Sequence, residues 1–186
     1  MRDKEYILEI KKLIPEQYCK KIISYFDNDF KDAGTIQGVD KEVRNCFTRP
    51  IEYDKKKTFG QKIVYNYIKQ QLDSCNETYS SNIRPTKSSR VSQLDLLKYP
   101  ANEYKTGYEF HCDFGTFTQE RAFSISICLN NDFTGGEFVF DLKDEGKIQY
   151  PQNTGDAIMF PSHFGFPHKV NQITSGTRYA LIGWII

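Results

Sequence analysis

Three histidines and one tryptophan among 186 residues leave little material for chance clusters of metal ligands, so the position of each carries weight. A surplus of charge of either sign is also missing. Lys plus Arg number 25 against 24 Asp plus Glu, and a net charge of +1 gives no broad attraction for nucleic acid or an anionic membrane; neither is expected as a partner. No apolar stretch near the N-terminus reaches the length of a signal segment or a membrane span, which predicts a cytoplasmic protein. The five cysteines, at positions 19, 46, 75, 112 and 128, include no CxxC pair and are odd in number. That argues against a disulfide framework or a cysteine zinc site and suits a reducing compartment. Repeats and low-complexity tracts are lacking too, and the length fits one domain over 1–186.

What is present divides into two patterns. Glu5 to Leu13 alternates loosely, as a first strand would. Pro15 then stands at a helix start, and Tyr18, Cys19, Ile22, Ile23 and Phe26 share one helical face, predicting a helix to about Asp27. Asn28 to Pro50 is polar, holds Gly34 and Gly38, and reads as a long loop with at most one short strand. Phe59, Ile63, Val64, Tyr67, Ile68 and Leu72 predict a second amphipathic helix from about Thr58 to Leu72, after a solvated Lys55-Lys56-Lys57 run and before a polar connection from Asn76 to Ser89. From Val91 the pattern changes to short β-branched runs punctuated by Gly, Pro and Asn. Strands are expected near 92–99, 122–130, 136–141, 156–161 and 178–186, with a turn at Gly135-Gly136. The expected fold class is mainly β (α+β): helical support and a loop over 1–90, then an antiparallel barrel or sandwich over 91–186.

His111 and Asp113 are separated by one residue, so on an extended segment both side chains leave the same face and can grip one ion. Such a tripeptide alone arises by chance. His168, followed by Arg178 at the head of the run Arg178 to Trp184, supplies the third ligand. Two histidines and a carboxylate leave other positions of a metal open, the arrangement by which non-haem Fe(II) oxygenases admit cosubstrate and oxygen. His163 competes for the distal place, but Ile173 stands where His168 has Arg178, so it reads as a loop residue near the site mouth.

These residues resemble the 2-oxoglutarate-dependent dioxygenases, in particular the prolyl 4-hydroxylase-like branch. The resemblance rests on Tyr108-Glu109-Phe110-His111-Cys112-Asp113, on Arg121 to Asn130, and on Gly135-Gly136-Glu137-Phe138. Gly155 to Pro161, His168 with Arg178, and Trp184 complete it. It implies a double-stranded β-helix, or jelly roll, with supporting helices. It further implies Fe(II), 2-oxoglutarate and O2, with ascorbate as reductant, and hydroxylation with release of succinate and CO2. Arg178, where some relatives carry lysine, would anchor the distal carboxylate of 2-oxoglutarate through its planar fork. Tyr99 and Tyr108 would contact the cosubstrate or shape the pocket, while Arg121, Trp184 and Arg44, with Arg49, would stand near the substrate. Some relatives add a tyrosine hydroxyl on the strand Ser124 to Cys128; that position falls on Ile127 here, leaving the second carboxylate contact open. Asp113 favours hydroxylation, since halogenating relatives lack this carboxylate. A peptidyl proline is the expected substrate, held under the loop from Asn28 to Pro50. The alternatives are a free amino acid or other small molecule, a nucleobase, and a non-catalytic barrel with a relic metal site.

Overall fold

The computed structural model describes residues 2–35, 38–51, 58–83, 90–102 and 105–186. Pro15 opens helix α1 (Glu16–Phe26), whose apolar face buries Cys19, Ile22 and Phe26. Helix α2 (Phe59–Asn82) begins with a capping box: the Thr58 hydroxyl accepts from the Gln61 N–H, and the Thr58 N–H donates to Gln61 Oε1. It runs ten residues past the expected end at Leu72. The buried row Ile68, Leu72, Cys75 and Tyr79 keeps helical spacing to the last turns, and the polar residues from Asn76 that suggested a connection decorate its outer face. Phe59 and Ile63, assigned to the buried face from sequence, are exposed. The Lys55–Lys57 run and residues 84–89 lie outside the described residues.

Among the described residues thirteen strands form two antiparallel sheets. In chain order they are β1 (Leu8–Ile10), β2 (Lys31–Asp32), β3 (Arg44–Asn45), β4 (Phe47–Pro50), β5 (Val91–Pro100), β6 (Gly107–His111) and β7 (Phe123–Cys128). They continue with β8 (Phe133–Gly135), β9 (Phe138–Leu142), β10 (Gly146–Tyr150), β11 (Ala157–Pro161), β12 (His168–Val170) and β13 (Ile173–Ile185). The larger sheet runs β1-β11-β7-β13-β5-β4-β2 with β8 paired to β13; the smaller runs β10-β9-β12-β6-β3. The mainly β architecture with two supporting helices is that of a jelly roll. Two expectations need correction. The first strand shrinks to Leu8–Ile10 behind a 3-10 turn at Asp3–Tyr6. The supposed loop from Asn28 to Pro50 contributes β2, β3 and β4, because its polar residues still offer backbone groups that the sheet edges can pair: β4 lies along β5 and β3 along β6.

Alternation along the strands divides the interior into two cores. On β7 and β13, Ile125, Ile127, Leu181 and Ile185 face the helices and pack with Ile22, Phe26, Ile68 and Leu72. Gly183 permits the approach of α2, since a Cβ there would sit 3.0 Å from Leu72 Cδ1. The other faces of the sheets enclose Tyr99, Phe138, Phe140, Phe160 and Val170, and it is there that the polar residues collect. Among the described residues no helix is long and apolar enough to cross a membrane.

Asp156, at the turn entering β11, fastens the N-terminal segment to this frame. It accepts from the backbone N–H groups of Lys12 (3.0 Å) and Asn153 (3.1 Å) and from Lys11 Nζ (3.2 Å). Burial opposes its charge, but these donors outweigh burial and hold its pKa below the usual carboxylate value. A depressed pKa in the folded state stabilises above the unfolded value of about 3.9, and the contribution is lost as pH falls through the lower folded value. Asp156→Asn is expected to cost about 1–3 kcal/mol in urea unfolding at neutral pH and to flatten the acid limb of the stability profile.

Candidate active site

β6 and β12 are neighbours in the smaller sheet, and His168 stands directly across from His111 in their antiparallel pairing. Their rings lie 4.3 Å apart. His111 Nδ1 meets the Glu109 carbonyl at 2.8 Å and His168 Nδ1 meets the Phe166 carbonyl at 3.0 Å. A carbonyl only accepts, so each Nδ1 carries a hydrogen and Nε2 is the ring atom left to hold an ion. Asp113, in the bend past the end of β6, completes the group: Oδ1 lies 3.7 Å from His111 Nε2 and Oδ2 lies 3.7 Å from His168 Nε2. One donor atom from each residue lies within 4.8 Å of the others. Burial and the neighbouring His168 push the His111 pKa down to about 3, so this imidazole is neutral at physiological pH. Burial opposes the charge of Asp113 as well, yet the two imidazoles and the Ser124 hydroxyl keep its pKa below the ordinary value. Two imidazoles and one carboxylate are the donor set a divalent iron accepts, and the residues present fit such an ion.

Ser124 on β7 orients the carboxylate. Its hydroxyl donates to Asp113 Oδ2 at 2.5 Å and is joined at 2.8 Å to Ser162. Thr118 Oγ1 and Arg121 Nη1 hold the Asp113 backbone carbonyl at 2.8 and 3.4 Å. His168 is enclosed by Phe138, Phe140 and Phe160, with Phe138 stacked on it at 5.1 Å. These supports escaped sequence reasoning. The one available signal was the alternation of Ser124 and Ser126 with Ile125 and Ile127, which marks a strand whose polar face points inward.

A cavity of about 500 Å³ opens over His111, Asp113 and His168, bounded by Tyr99, Tyr108, Arg121, Ser126, Ile182 and Trp184 among others. Arg178, 1% exposed, is set deeper on the same face of β13 as Ile182 and Trp184. Its Nη2 donates to Gln152 Oε1 at 3.1 Å, and its guanidinium lies 5.5 Å from the Tyr99 ring centroid. Among the described residues no carboxylate pairs with it. Ile127 does not face this cavity. It pairs with Leu181 and packs toward the helices, so the inward residues of β7 are Ser124, Ser126 and Cys128, and the position assigned from the family pattern was off the inner face.

At the mouth the Arg121 guanidinium stacks 3.7 Å from the Trp184 ring centroid and donates to Gln93 Oε1 at 3.2 Å. Among the described residues the Trp184 indole N–H meets no partner in hydrogen-bonding geometry, although it helps to stabilise the Asp113 charge. Tyr108 stacks on His111 at 3.4 Å and Arg44 covers its other side at 4.7 Å. Simple alternation would place Tyr108 and His111 on opposite faces. A register shift between His168 and Val170 inserts one extra residue on β6 and brings both to the same side. Arg44 lines the cavity and donates to the Gly34 carbonyl at 2.8 Å. Arg49 is elsewhere: it donates to the Phe26 carbonyl at 2.7 Å and covers the Phe26 ring, so it braces α1 and leaves the substrate space alone. His163 is an exposed loop residue whose Nδ1 accepts from the Gly165 N–H, outside the ligand group.

The 2OG-Fe(II) oxygenase superfamily pattern matches residues 96–186. A PKHD-type hydroxylase of Idiomarina loihiensis is 28% identical over 184 residues, covering 96% of this chain and 77% of that protein. A PKHD-type hydroxylase of Prochlorococcus marinus is 25% identical over 88% of this chain and 78% of that protein. Among solved structures, a prolyl hydroxylase of Trichoplax adhaerens, in complex with a hypoxia inducible factor oxygen degradation domain peptide fragment, superposes with a TM-score of 0.78 at 16% identity, over 98% of this chain and 84% of that one. A prolyl-4-hydroxylase of Pseudomonas putida gives 0.71 at 17% identity, over 96% and 91%. The site geometry, the sheets that create it and these likenesses converge: residues 96–186 carry the pattern of the 2OG-Fe(II) oxygenase superfamily, whose members use Fe(II), 2-oxoglutarate and O2, and the chain is similar to PKHD-type hydroxylases and has the fold of prolyl hydroxylases.

Proposed function

We propose that His111, Asp113 and His168 hold one Fe(II), that Arg178 neutralises the distal carboxylate of 2-oxoglutarate, and that the reaction hydroxylates a peptidyl proline. The observation that carries the cosubstrate assignment is the deeply buried Arg178 cation, with a neutral amide as its side-chain hydrogen-bond partner. A buried charge is strongly disfavoured without a counter-ion, and an incoming carboxylate supplies one. Iron, 2-oxoglutarate and O2, when bound, would supply the chemistry: O2 is the oxidant, one of its atoms entering succinate as CO2 leaves and the other entering the substrate C–H bond as hydroxyl. The chain's residues do the rest. Ser124 fixes the carboxylate of Asp113, the two carbonyls fix the imidazoles, and Tyr108 and Phe138 clamp the rings from outside. Trp184 and Arg121 form one wall of the space where substrate enters.

A peptide is favoured by the rim. Phe114 and Phe117 follow the Asp113 ligand, Phe164 precedes His168, and all three are exposed, at 44%, 82% and 84%. The two segments are joined by the Phe114 N–H to the Ser162 carbonyl at 3.0 Å. Exposed aromatics on segments that flank a cavity offer a docking surface to an apolar partner segment. The peptide bound by the Trichoplax neighbour supports the same reading. Five free thiols fit a reducing cytoplasm, where ascorbate would keep the metal ferrous. A small-molecule substrate remains the second reading, because the cavity alone is large enough for one.

Incubation with Fe(II), 2-oxoglutarate, ascorbate and a library of proline-containing peptides is expected to give a mass gain of one oxygen on a peptide and none on free proline. The reverse outcome would establish the small-molecule hydroxylase. Phe117→Ala with Phe164→Ala is expected to raise the KM for that peptide several-fold while leaving peptide-independent succinate formation unchanged. Equal KM values in wild type and double variant would remove the rim from substrate binding.

A further inference from the structure

We infer that Ser126 and Gln152, with Arg178, form the cradle that selects the distal carboxylate of the 2-oxo acid. This rests on the assignment of Arg178 to the cosubstrate and supplies the second contact that Ile127 cannot make. Ser126 is 1% exposed and borders the cavity, yet its Oγ has no hydrogen-bond partner among the described residues. An orphaned buried hydroxyl destabilises a protein unless something in use satisfies it. Ser126 borders the cavity, and an anion bound there would satisfy this hydroxyl.

Gln152 ties this hydroxyl's strand to the cation. Its Oε1 accepts from Arg178 Nη2 at 3.1 Å, and its Nε2 donates to the Ser126 backbone carbonyl at 3.2 Å. One amide thus brings the guanidinium head to the level of Ser126 and fixes its plane. Being neutral, it orients the charge without quenching it, which a glutamate at the same place would do. On β7 the inward row then reads from metal to anchor. Ser124 touches the ligand Asp113, Ser126 comes next, and Cys128 closes the row where the Arg178 charge is felt. A dicarboxylic 2-oxo acid lying along this row would chelate beside Asp113 and end between Ser126 Oγ–H and Arg178. A 2-oxo acid without the second carboxylate would leave both groups unsatisfied. Ser126 is therefore assigned a ligand contact, and Gln152 a positioning role through Arg178.

The test is calorimetric binding to Zn(II)-loaded protein, which needs no turnover, using 2-oxoglutarate and 2-oxobutyrate, the latter lacking the distal carboxylate. Ser126→Ala is expected to weaken 2-oxoglutarate binding about three- to tenfold, as befits one hydrogen bond, and to leave 2-oxobutyrate unchanged. Its ligand-free melting temperature is expected to equal or exceed that of wild type, because an orphan hydroxyl has been removed. Gln152→Glu is expected to weaken 2-oxoglutarate at least about tenfold by occupying Arg178 with an internal carboxylate, again sparing 2-oxobutyrate. The inference is overturned if Ser126→Ala binds 2-oxoglutarate as wild type does, if both ligands weaken together, or if the ligand-free variant melts lower. Arg178→Ala separates the two levels. Should it weaken 2-oxoglutarate while Ser126→Ala does not, only the cradle falls; should it too leave binding untouched, the cosubstrate assignment fails.

Discussion

Alanine at His111, Asp113 or His168 is expected to remove stoichiometric Fe(II) binding and to reduce succinate formation below detection, whereas His163→Ala retains both. The physical reason is that the three donors converge on one point and each is held there by its own support. Deleting any one leaves two ligands to hold an ion that ordinarily keeps three protein contacts in this kind of site. Metal content after gel filtration, measured beside turnover, distinguishes loss of the ion from loss of chemistry. Asp113→Asn sharpens the result: the shape is preserved and the Ser124 contact can persist, so lost metal would be due to the missing charge. Metal retained in His168→Ala but lost in His163→Ala would show that the distal ligand lies in the loop.

The second large effect is expected at Arg178. Arg178→Met keeps much of the volume and removes the charge, and it should weaken 2-oxoglutarate by about 10- to 150-fold, the equivalent of about 1.5–3 kcal/mol for a charge-assisted contact. Metal affinity should stay near wild type, because Arg178 touches none of the ligands. The ligand-free variant is expected to be at least as stable, since a buried cation with no carboxylate partner is replaced by an apolar chain. Arg178→Lys should recover part of the binding, as it restores the charge but loses the planar fork. An unchanged 2-oxoglutarate affinity in Arg178→Met would place the anchor elsewhere in the cavity.

Residue chemistry made the cluster of His111, Asp113 and His168 legible in sequence because histidine is so scarce here, and the long apolar run of β13 placed Arg178 and Trp184 on one face by alternation. Other features depended on long-range pairing that local patterns do not encode. β3 and β12 are too short to announce themselves, yet their pairings with β6 place Arg44 against Tyr108 and His168 against His111. The extra residue on β6 that turns Tyr108 toward His111 breaks the period-two rule on which a sequence argument relies. The family tyrosine position falls on Ile127 by residue pattern for a related reason: the pattern does not reveal that the helices cover the other side of β7 and claim the isoleucines, leaving Ser124 to face Asp113. Arg49 shows the same limit, since its spacing from Arg44 says nothing of α1, against which it packs.

Metal, 2-oxo acid and oxygen meet in a single reaction of this family, so the most direct measurement follows the fate of the oxygen atoms. Wild-type protein supplied with Fe(II), 2-oxoglutarate and ¹⁸O2 is expected to release succinate carrying one labelled atom, with a second labelled atom on the hydroxylated peptide. Asp113→Ala should yield neither product. Unlabelled succinate, or a peptide hydroxyl whose oxygen comes from water, would contradict the account.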